Sequence, residues 1–239
     1  MLVSTEAIAL SSKKYSESSI IFKALTKSDG VKSYLVRGIR SKKNKTLSPA
    51  LFQALTILEI EANHKNKGGL ETIKSAKISK PYKNIPYDIT KNSMTLFISE
   101  LIDKCVREEE KNEELFEFIV SSFVWLDVSE NHQNFHIHFI TKLLKYLGIS
   151  PHNNPNANDF DIVNGIFVKS VEKKRMIPQS IVIGLNMFLG TNFDVINTAV
   201  DSSLKRKQFL EFMMNYLEYH IDSFKRPKSL NVLYDLFKS

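Results

Sequence analysis

The spacing of apolar residues in this chain changes once, at Pro81 and Pro86, and that change limits the folds open to it. Before the prolines the apolar residues come in short runs: LVSTEAIAL, SIIFKALTK, VKSYLVRGI, LFQALTILEIEA and LETIKSAKI. These runs are rich in Val, Ile, Phe, Tyr and Thr and bounded by polar turn residues, which predicts β-strands. Asp29-Gly30, between the second and third runs, suits a tight hairpin because Gly tolerates positive φ. In the fourth run, period-two alternation places Phe52, Ala54, Thr56, Leu58 and Ile60 on one face. HKNKGG then reads as a hairpin loop. Five strands in about eighty residues, joined by short connections, predict a small antiparallel barrel. The OB-fold is the commonest such barrel that binds nucleic acid; an SH3-like barrel or a small sandwich gives a similar pattern.

After the prolines the spacing is helical. Met94, Phe97, Ile98, Leu101, Ile102 and Cys105 follow the i, i+3, i+4, i+7 rule and predict one buried stripe. Cys105 is therefore read as a small core residue. Asn112 predicts the cap of a second helix burying Leu115, Phe116, Ile119, Val120 and Phe123. A third helix is predicted from Asn134 to Leu147, stopping at Gly148. SPHNNPNAND is loop-like, and FDIVNGIFVK predicts a short hairpin around Asn164-Gly165. A helix follows Pro178 and ends by Gly190. The last long helix presents Leu210, Met213, Leu217, Ile221 and Phe224 and is expected to run to Arg226-Pro227, before a short terminal helix. The expected class is α+β: a five-stranded OB-fold barrel over residues 1–80, then a helical domain over residues 81–239 with a short hairpin near 160–168.

Charge follows the same division. The formal net charge is +7, but residues 1–83 hold 16 Lys and Arg against 6 Asp and Glu, a net of +10. Residues 84–239 hold 17 against 20, a net of −3. An excess confined to the β-rich third implies an anionic partner for that part, nucleic acid before a membrane surface. The start, MLVSTEAIALSSKKY, lacks a basic region followed by an apolar run, and no window is long and apolar enough to span a bilayer. One cysteine excludes an internal disulfide and a Cys-rich zinc site. The expected compartment is the cytoplasm.

A search for catalytic chemistry returns negatives. There is no G-x-x-x-x-G-K-[ST] phosphate loop, no dinucleotide-binding glycine fingerprint and no G-x-S-x-G nucleophile elbow. Glu108, Glu109, Glu110, Glu113 and Glu114 form a like-charge run, which reads as a solvated face. His132 and His136 stand four apart with His138 following, but no third ligand lies at a metal-site spacing. The expectation is a protein that is not an enzyme and uses neither metal nor cofactor.

What remains is the basic segment VRGIRSKKNKTLSPA. It carries Arg37, Arg40, Lys42, Lys43 and Lys45 across a strand end and the loop after it. Lys13 and Lys14 are placed in the first turn, and Lys65 and Lys67 in the last hairpin. Loops between barrel strands line the groove in which OB-folds hold oligonucleotides, and cations there neutralise phosphates without reading sequence. Phe22, Tyr34 and Phe52 are read as core, so backbone contact is expected to dominate over base reading.

The segments KKYSESS, TKSDGVKSYLVRGIRSKK, LEIEANHKNKGGLETIKSAKI and PYKNIPYDITKNSM, with FDIVNGIFV and LNVLYDLF further on, together resemble the bacterial RecO family. That resemblance implies an N-terminal OB-fold and a helical domain. It also implies a DNA repair and recombination mediator that binds single- and double-stranded DNA and anneals complementary strands. The implied partners are RecR and the acidic C-terminal tail of the single-stranded-DNA-binding protein, with RecA loaded indirectly, in a bacterial cytoplasm close to the nucleoid. The family's basic OB surface falls on Arg37, Arg40, Lys42 and Lys43. Some members hold zinc with four cysteines in the helical domain; Phe160–Val168 has none, so a zinc-free hairpin held by packing alone is expected. A pocket for an acidic tail needs an apolar groove rimmed by cations, with Lys142, Lys145, Arg175 and Arg206 as candidates. The residues alone leave two rivals: a general OB-fold single-stranded DNA- or RNA-binding protein without mediator activity, and a scaffold whose basic face meets an acidic protein.

Overall fold

The computed structural model describes residues 1–39, 47–65, 67–106, 111–152, 154, 156–169, 177–195 and 200–236. Its elements fall into two compact units, Met1–Val128 and Ser129–Ser239.

The first unit begins with strands β1 (Leu2–Lys14), β2 (Ile20–Thr26), β3 (Gly30–Val36), β4 (Ile57–Asn63) and β5 (Glu71–Lys80). They close into a barrel in the order β1-β2-β3-β5-β4. Closure depends on β1, which pairs through Leu2–Ile8 with β4 and through Ala7–Lys14 with β2. β3 and β5 are parallel, Tyr34 against Glu71 and Leu35 against Thr72. The barrel is thus not wholly antiparallel, because β4 pairs back onto β1 and the chain must cross over to reach it. This is the OB arrangement of a five-stranded Greek-key barrel.

Small residues make room for rings inside. Ala7, Ala9, Ala24 and Ala62 face the same core as Phe22, Tyr34 and Phe52, and Phe22 meets Phe52 edge-on with centroids 4.7 Å apart. A bulge between Ala9 and Ser11 interrupts the β1 register. Ile8 and Leu10 point away from the barrel yet are buried, since helix α1 (Ile89–Cys105) lies against β1 and Ser99 Oγ donates to the Leu10 carbonyl at 2.7 Å.

Two strand boundaries differ from the sequence pattern. β1 runs on past the bulge to Lys14, so Lys13 and Lys14 belong to a strand and pair with Ile21 and Ile20. β4 starts only at Ile57: Pro49–Phe52 forms a 3₁₀ turn and Leu55 adopts φ 55°. Phe52 therefore reaches the core from a turn, while Ala54 and Thr56 are only half-buried. Full burial and two hydrogen bonds hold Leu55 in that left-handed conformation: its N–H to the Ala9 carbonyl at 2.7 Å, and its carbonyl accepting from Tyr82 Oη at 2.9 Å.

α1 buries Met94, Phe97, Ile98, Leu101, Ile102 and Cys105, as its spacing predicts, and Asp88 caps it through the N–H groups of Thr90 and Lys91. Helix α2 (Glu113–Val128) is capped by Asn112, whose Oδ1 accepts from Leu115 N at 2.9 Å. Near the other end of α2, the buried Asp127 carboxylate accepts the N–H groups of Lys83, Asn84 and Ile85, each at 2.8 Å. The segment leaving the barrel is thereby fixed to α2. The change of periodicity at Pro81 marks where strands give way to helices, whereas the compact unit continues to Val128.

The second unit contains α3 (Phe135–Tyr146), the hairpin β6 (Asp159–Asp161) and β7 (Ile166–Val168), α4 (Gln179–Gly190), α5 (Ser203–His220) and α6 (Leu230–Leu236). Helices α3, α4 and α5 enclose Phe139, Leu143, Phe188, Phe209 and Met213. Phe160 carries the hairpin into this core, against Phe167, Phe212 and Tyr216. Packing is not its only support. The ring of His220 sits with Nε2 2.9 Å from the Ile162 carbonyl, and Asp161 Oδ1 accepts from Val163 N at 3.0 Å on the exposed side of the turn. α5 ends at His220 rather than at Arg226, as Ser223 turns the chain with φ 57°. Arg226 then ties α5 down, pairing with Glu211 at 2.7 Å and Glu218 at 2.8 Å.

Two predictions test these locks. Burial alone would raise the Asp127 carboxyl, but the three backbone N–H groups and Lys91 hold it below the ordinary aspartate value of 3.8. Its contribution to stability is therefore present above that value and lost as pH falls through the lower, folded one. Asp127→Ala is expected to cost about 2–4 kcal/mol at neutral pH and to flatten this part of the acid-unfolding profile, as read by denaturant melts between neutral and acid pH. At Gly165, with φ 68°, a Cβ would stand 2.8 Å from Tyr216 Oη, which is itself committed to the Ile149 carbonyl at 2.6 Å. Gly165→Ala should cost roughly 1–3 kcal/mol and lower the melting temperature; an unchanged Tm would mean the hairpin is not held there.

Candidate nucleic-acid interface

The strand ladders decide which cations share a surface. Lys14 pairs with Ile20 and Ile20 with Val36, while Lys13 pairs with Ile21 and Ile21 with Leu35. Arg37 follows Val36 directly. Lys13, Lys14 and Arg37, distant in sequence, therefore meet at one end of the β1-β2-β3 sheet, and all three are exposed. The β1–β2 turn is fastened to the chain leaving β3 by Ile39 N donating to the Ser18 carbonyl at 2.9 Å. Tyr15, on that turn, is 62 % exposed. Arg40, Lys42, Lys43 and Lys45 lie outside the described residues.

Lys65 and Lys67 are exposed on the β4–β5 connection, which lies beside the same ribbon. Gly68, Gly69 and Leu70 face Lys23, Val31, Lys32 and Ser33 across a cleft of about 370 Å³ on β2–β3. The connection starts from a fixed point. His64 is buried, with Nε2 2.9 Å from Tyr34 Oη and Nδ1 3.2 Å from Asp29 Oδ2, and its N–H donates to the Met1 carbonyl at 2.9 Å. Burial, then the charges of Asp29 and Glu71, push the Tyr34 hydroxyl far up, so it stays a neutral hydrogen-bonding group. At its other end Glu71 accepts from Lys65 N at 2.8 Å. Gly68 takes φ 70°, which a two-glycine turn permits. Cations thus stand at both ends of the β2–β3 ribbon, whose seven paired positions span about 20 Å.

Several other barrel lysines are occupied. Lys23 pairs with Asp103 on α1 at 2.7 Å, and Lys27 with Glu117 on α2 at 2.6 Å and with Glu113 at 3.5 Å. Lys77 pairs with Glu59 at 2.9 Å, Lys74 with Glu61 at 3.8 Å and Lys80 with Glu6 at 4.0 Å. Lys13, Lys14, Arg37, Lys65 and Lys67 have no acidic partner among the described residues. Lys13, Lys14 and Arg37 therefore leave their end of β2–β3 positive, whereas Asp29 and Glu71 stand beside Lys65 and Lys67 at the other end and the outer face is paired.

In the second unit, Lys142 donates to the Leu189 carbonyl at 3.1 Å near the end of α4, and burial, with Lys145 nearby, lowers its pKa. Arg206 donates to Ser203 Oγ at 3.2 Å, and Lys145 lies 6.0 Å from the Tyr146 ring centroid. Arg175 lies outside the described residues. His138 Nε2 is 2.8 Å from the Thr191 carbonyl and its ring packs on Phe188 and Phe193. Burial lowers His138 to about 4 and the fully enclosed His136 to about 3, so both are neutral core groups at physiological pH. Among the described residues no three His, Cys, Asp or Glu side chains gather as a metal site, and no helix is long and apolar enough to cross a membrane.

Sequence reasoning did not single out Tyr15 or the Gly68–Leu70 wall of the cleft. Tyr15 had a signal: it directly follows two lysines, beyond the last apolar position of the first strand run. The cleft wall had none, because it is formed by the tertiary approach of the β4–β5 connection to strands β2 and β3.

These features define an α+β protein built on an OB barrel that shows exposed cations at both ends of one ribbon. Comparison with known proteins gives the family. A model of the recombination protein O N-terminal region matches residues 1–82, and one of the recombination protein O C-terminal region matches residues 86–230. The chain is 41 % identical to the DNA repair protein RecO of Flavobacterium psychrophilum over 241 residues, 99 % of this chain and all of that one. It is 37 % identical to the RecO of Christiangramia forsetii and 33 % identical to that of Bacteroides fragilis, with 99 % of this chain and the whole of each relative covered. The chain belongs to the RecO family of DNA repair proteins.

Proposed function

We propose that this chain is a recombination mediator that binds single- and double-stranded DNA through the cationic ends of its barrel, anneals complementary strands and does no bond chemistry itself. In this reading it helps load RecA onto DNA coated by single-strand-binding protein. Its partners are RecR and the acidic C-terminal tail of that coating protein, recruited by the helical part of the chain, residues 81–239, and it works in the bacterial cytoplasm at the nucleoid. The observation that carries the reading is the set of exposed cations Lys13, Lys14, Arg37, Lys65 and Lys67, without an acidic partner among the described residues, on an OB barrel in a RecO-family chain. Lysine and arginine so placed release counterions from the DNA backbone on binding, which gives affinity without sequence preference. Arg40, Lys42, Lys43 and Lys45 belong to the same proposed surface by sequence.

Two measurements test it. Arg37→Ala and Lys14→Ala should each reduce the slope of log K against log[salt] by about one phosphate equivalent, while Lys77→Ala, removed from an existing ion pair, leaves the slope in place. Equal slopes for all variants would move the DNA surface elsewhere. Annealing of complementary oligonucleotides coated with single-strand-binding protein should proceed with the intact coating protein and weaken when its acidic tail is deleted. Binding without annealing would identify a general single-strand-binding OB protein instead.

A further inference from the structure

We propose that Tyr15 is a base-stacking platform at the cationic end of the barrel and gives that end a preference for unpaired over paired strands. The inference rests on the DNA-binding reading above and adds a base-contacting residue to it.

Residues 1–80 contain four aromatic side chains, Tyr15, Phe22, Tyr34 and Phe52. Three of them are 0–3 % exposed and fill the barrel. Tyr15 alone of the four is outside, 62 % exposed. Its position is fixed rather than trailing: Tyr15 N and Ser16 N both donate to the Ser19 carbonyl, at 3.0 and 3.1 Å, and the turn is held through Ser18 to Ile39. A ring presented on a closed turn loses little freedom when a ligand covers it.

Its neighbours supply the other half of a single-strand site. Lys13 and Lys14 precede it on β1, and Arg37 arrives at the same barrel end through the β2–β3 ladder. Glu17 is the acid of the same turn, and the three cations outweigh it. Phosphates held by those cations leave their bases free to reach a ring only if the strand is unpaired, because in a duplex both faces of each base are covered by its neighbours. Every base has a π-face, so such a contact adds affinity without adding sequence preference.

The test is titration of the full chain with three probes: an oligothymidylate, an abasic strand of the same length and charge, and a duplex. Tyr15→Ala is expected to weaken oligothymidylate binding by about five-fold or more and to leave the abasic strand and the duplex unchanged, with an unaltered thermal melt. Tyr15→Phe should keep wild-type affinity, since the ring remains. An equal loss on all three probes, no loss on oligothymidylate, or a Phe variant as weak as the Ala variant overturns the stacking role. Arg37→Ala weakens all three probes, so failure of the stacking role is separable from failure of the DNA surface. A wild-type chain that binds none of the probes overturns both.

Discussion

The structure of the first unit depends on one strand serving two neighbours. β1 is long enough to pair with β4 through its first half and with β2 through its second, and the bulge at Leu10 lets it bend between them. Without that bend the sheet would stay open and present two edges. With it, the same strand closes the barrel, offers Ile8 and Leu10 to α1 on its outer side, and carries Lys13 and Lys14 to the hairpin end where Arg37 arrives. Closure and the placement of Lys13 and Lys14 both follow from the two ladders of this one strand.

The net positive charge of the barrel region overstates what a polyanion would meet. Helices α1 and α2 bring Asp103, Glu113 and Glu117 against Lys23 and Lys27, and within the sheet Glu59 and Glu61 sit beside Lys77 and Lys74. These exposed pairs add little stability. Their effect is on the field: they neutralise the outer face of the strands and leave the end that carries Lys13, Lys14 and Arg37 positive. Position, more than number, is what distinguishes a solvent-facing lysine here from a paired one.

The second unit solves a different problem. A hairpin of two three-residue strands has too little surface to stand alone. Here Phe160 inserts it among Phe212, Tyr216 and Phe167, and His220 and Asp161 provide for its turn. The tight approach of Gly165 to Tyr216 shows how closely the turn is seated on α5.

Much of this was legible in the sequence. Period-two runs gave five strands and helical spacing gave the buried stripes of α1 and α2, because both patterns follow from the geometry of the element itself. The OB alternative among small barrels, the family resemblance and the confinement of positive charge to the first third also came from residues alone. Local pattern could not place the start of β4 at Ile57, since a left-handed Leu55 is imposed by burial and by the hydrogen bonds from Tyr82 and to Ala9. Nor could it show that the compact unit continues to Val128, because the partner of a helical stripe is not written in the stripe. The same limit applies to the surface. Sequence determined that this chain carries an excess of cations in a small barrel; only the tertiary structure decided which lysines meet a carboxylate and which, with Arg37 and Tyr15, are left facing solvent at one end. Pairing across the ladders and across the helix–barrel contact joins residues tens of positions apart, and that is a property of the fold alone.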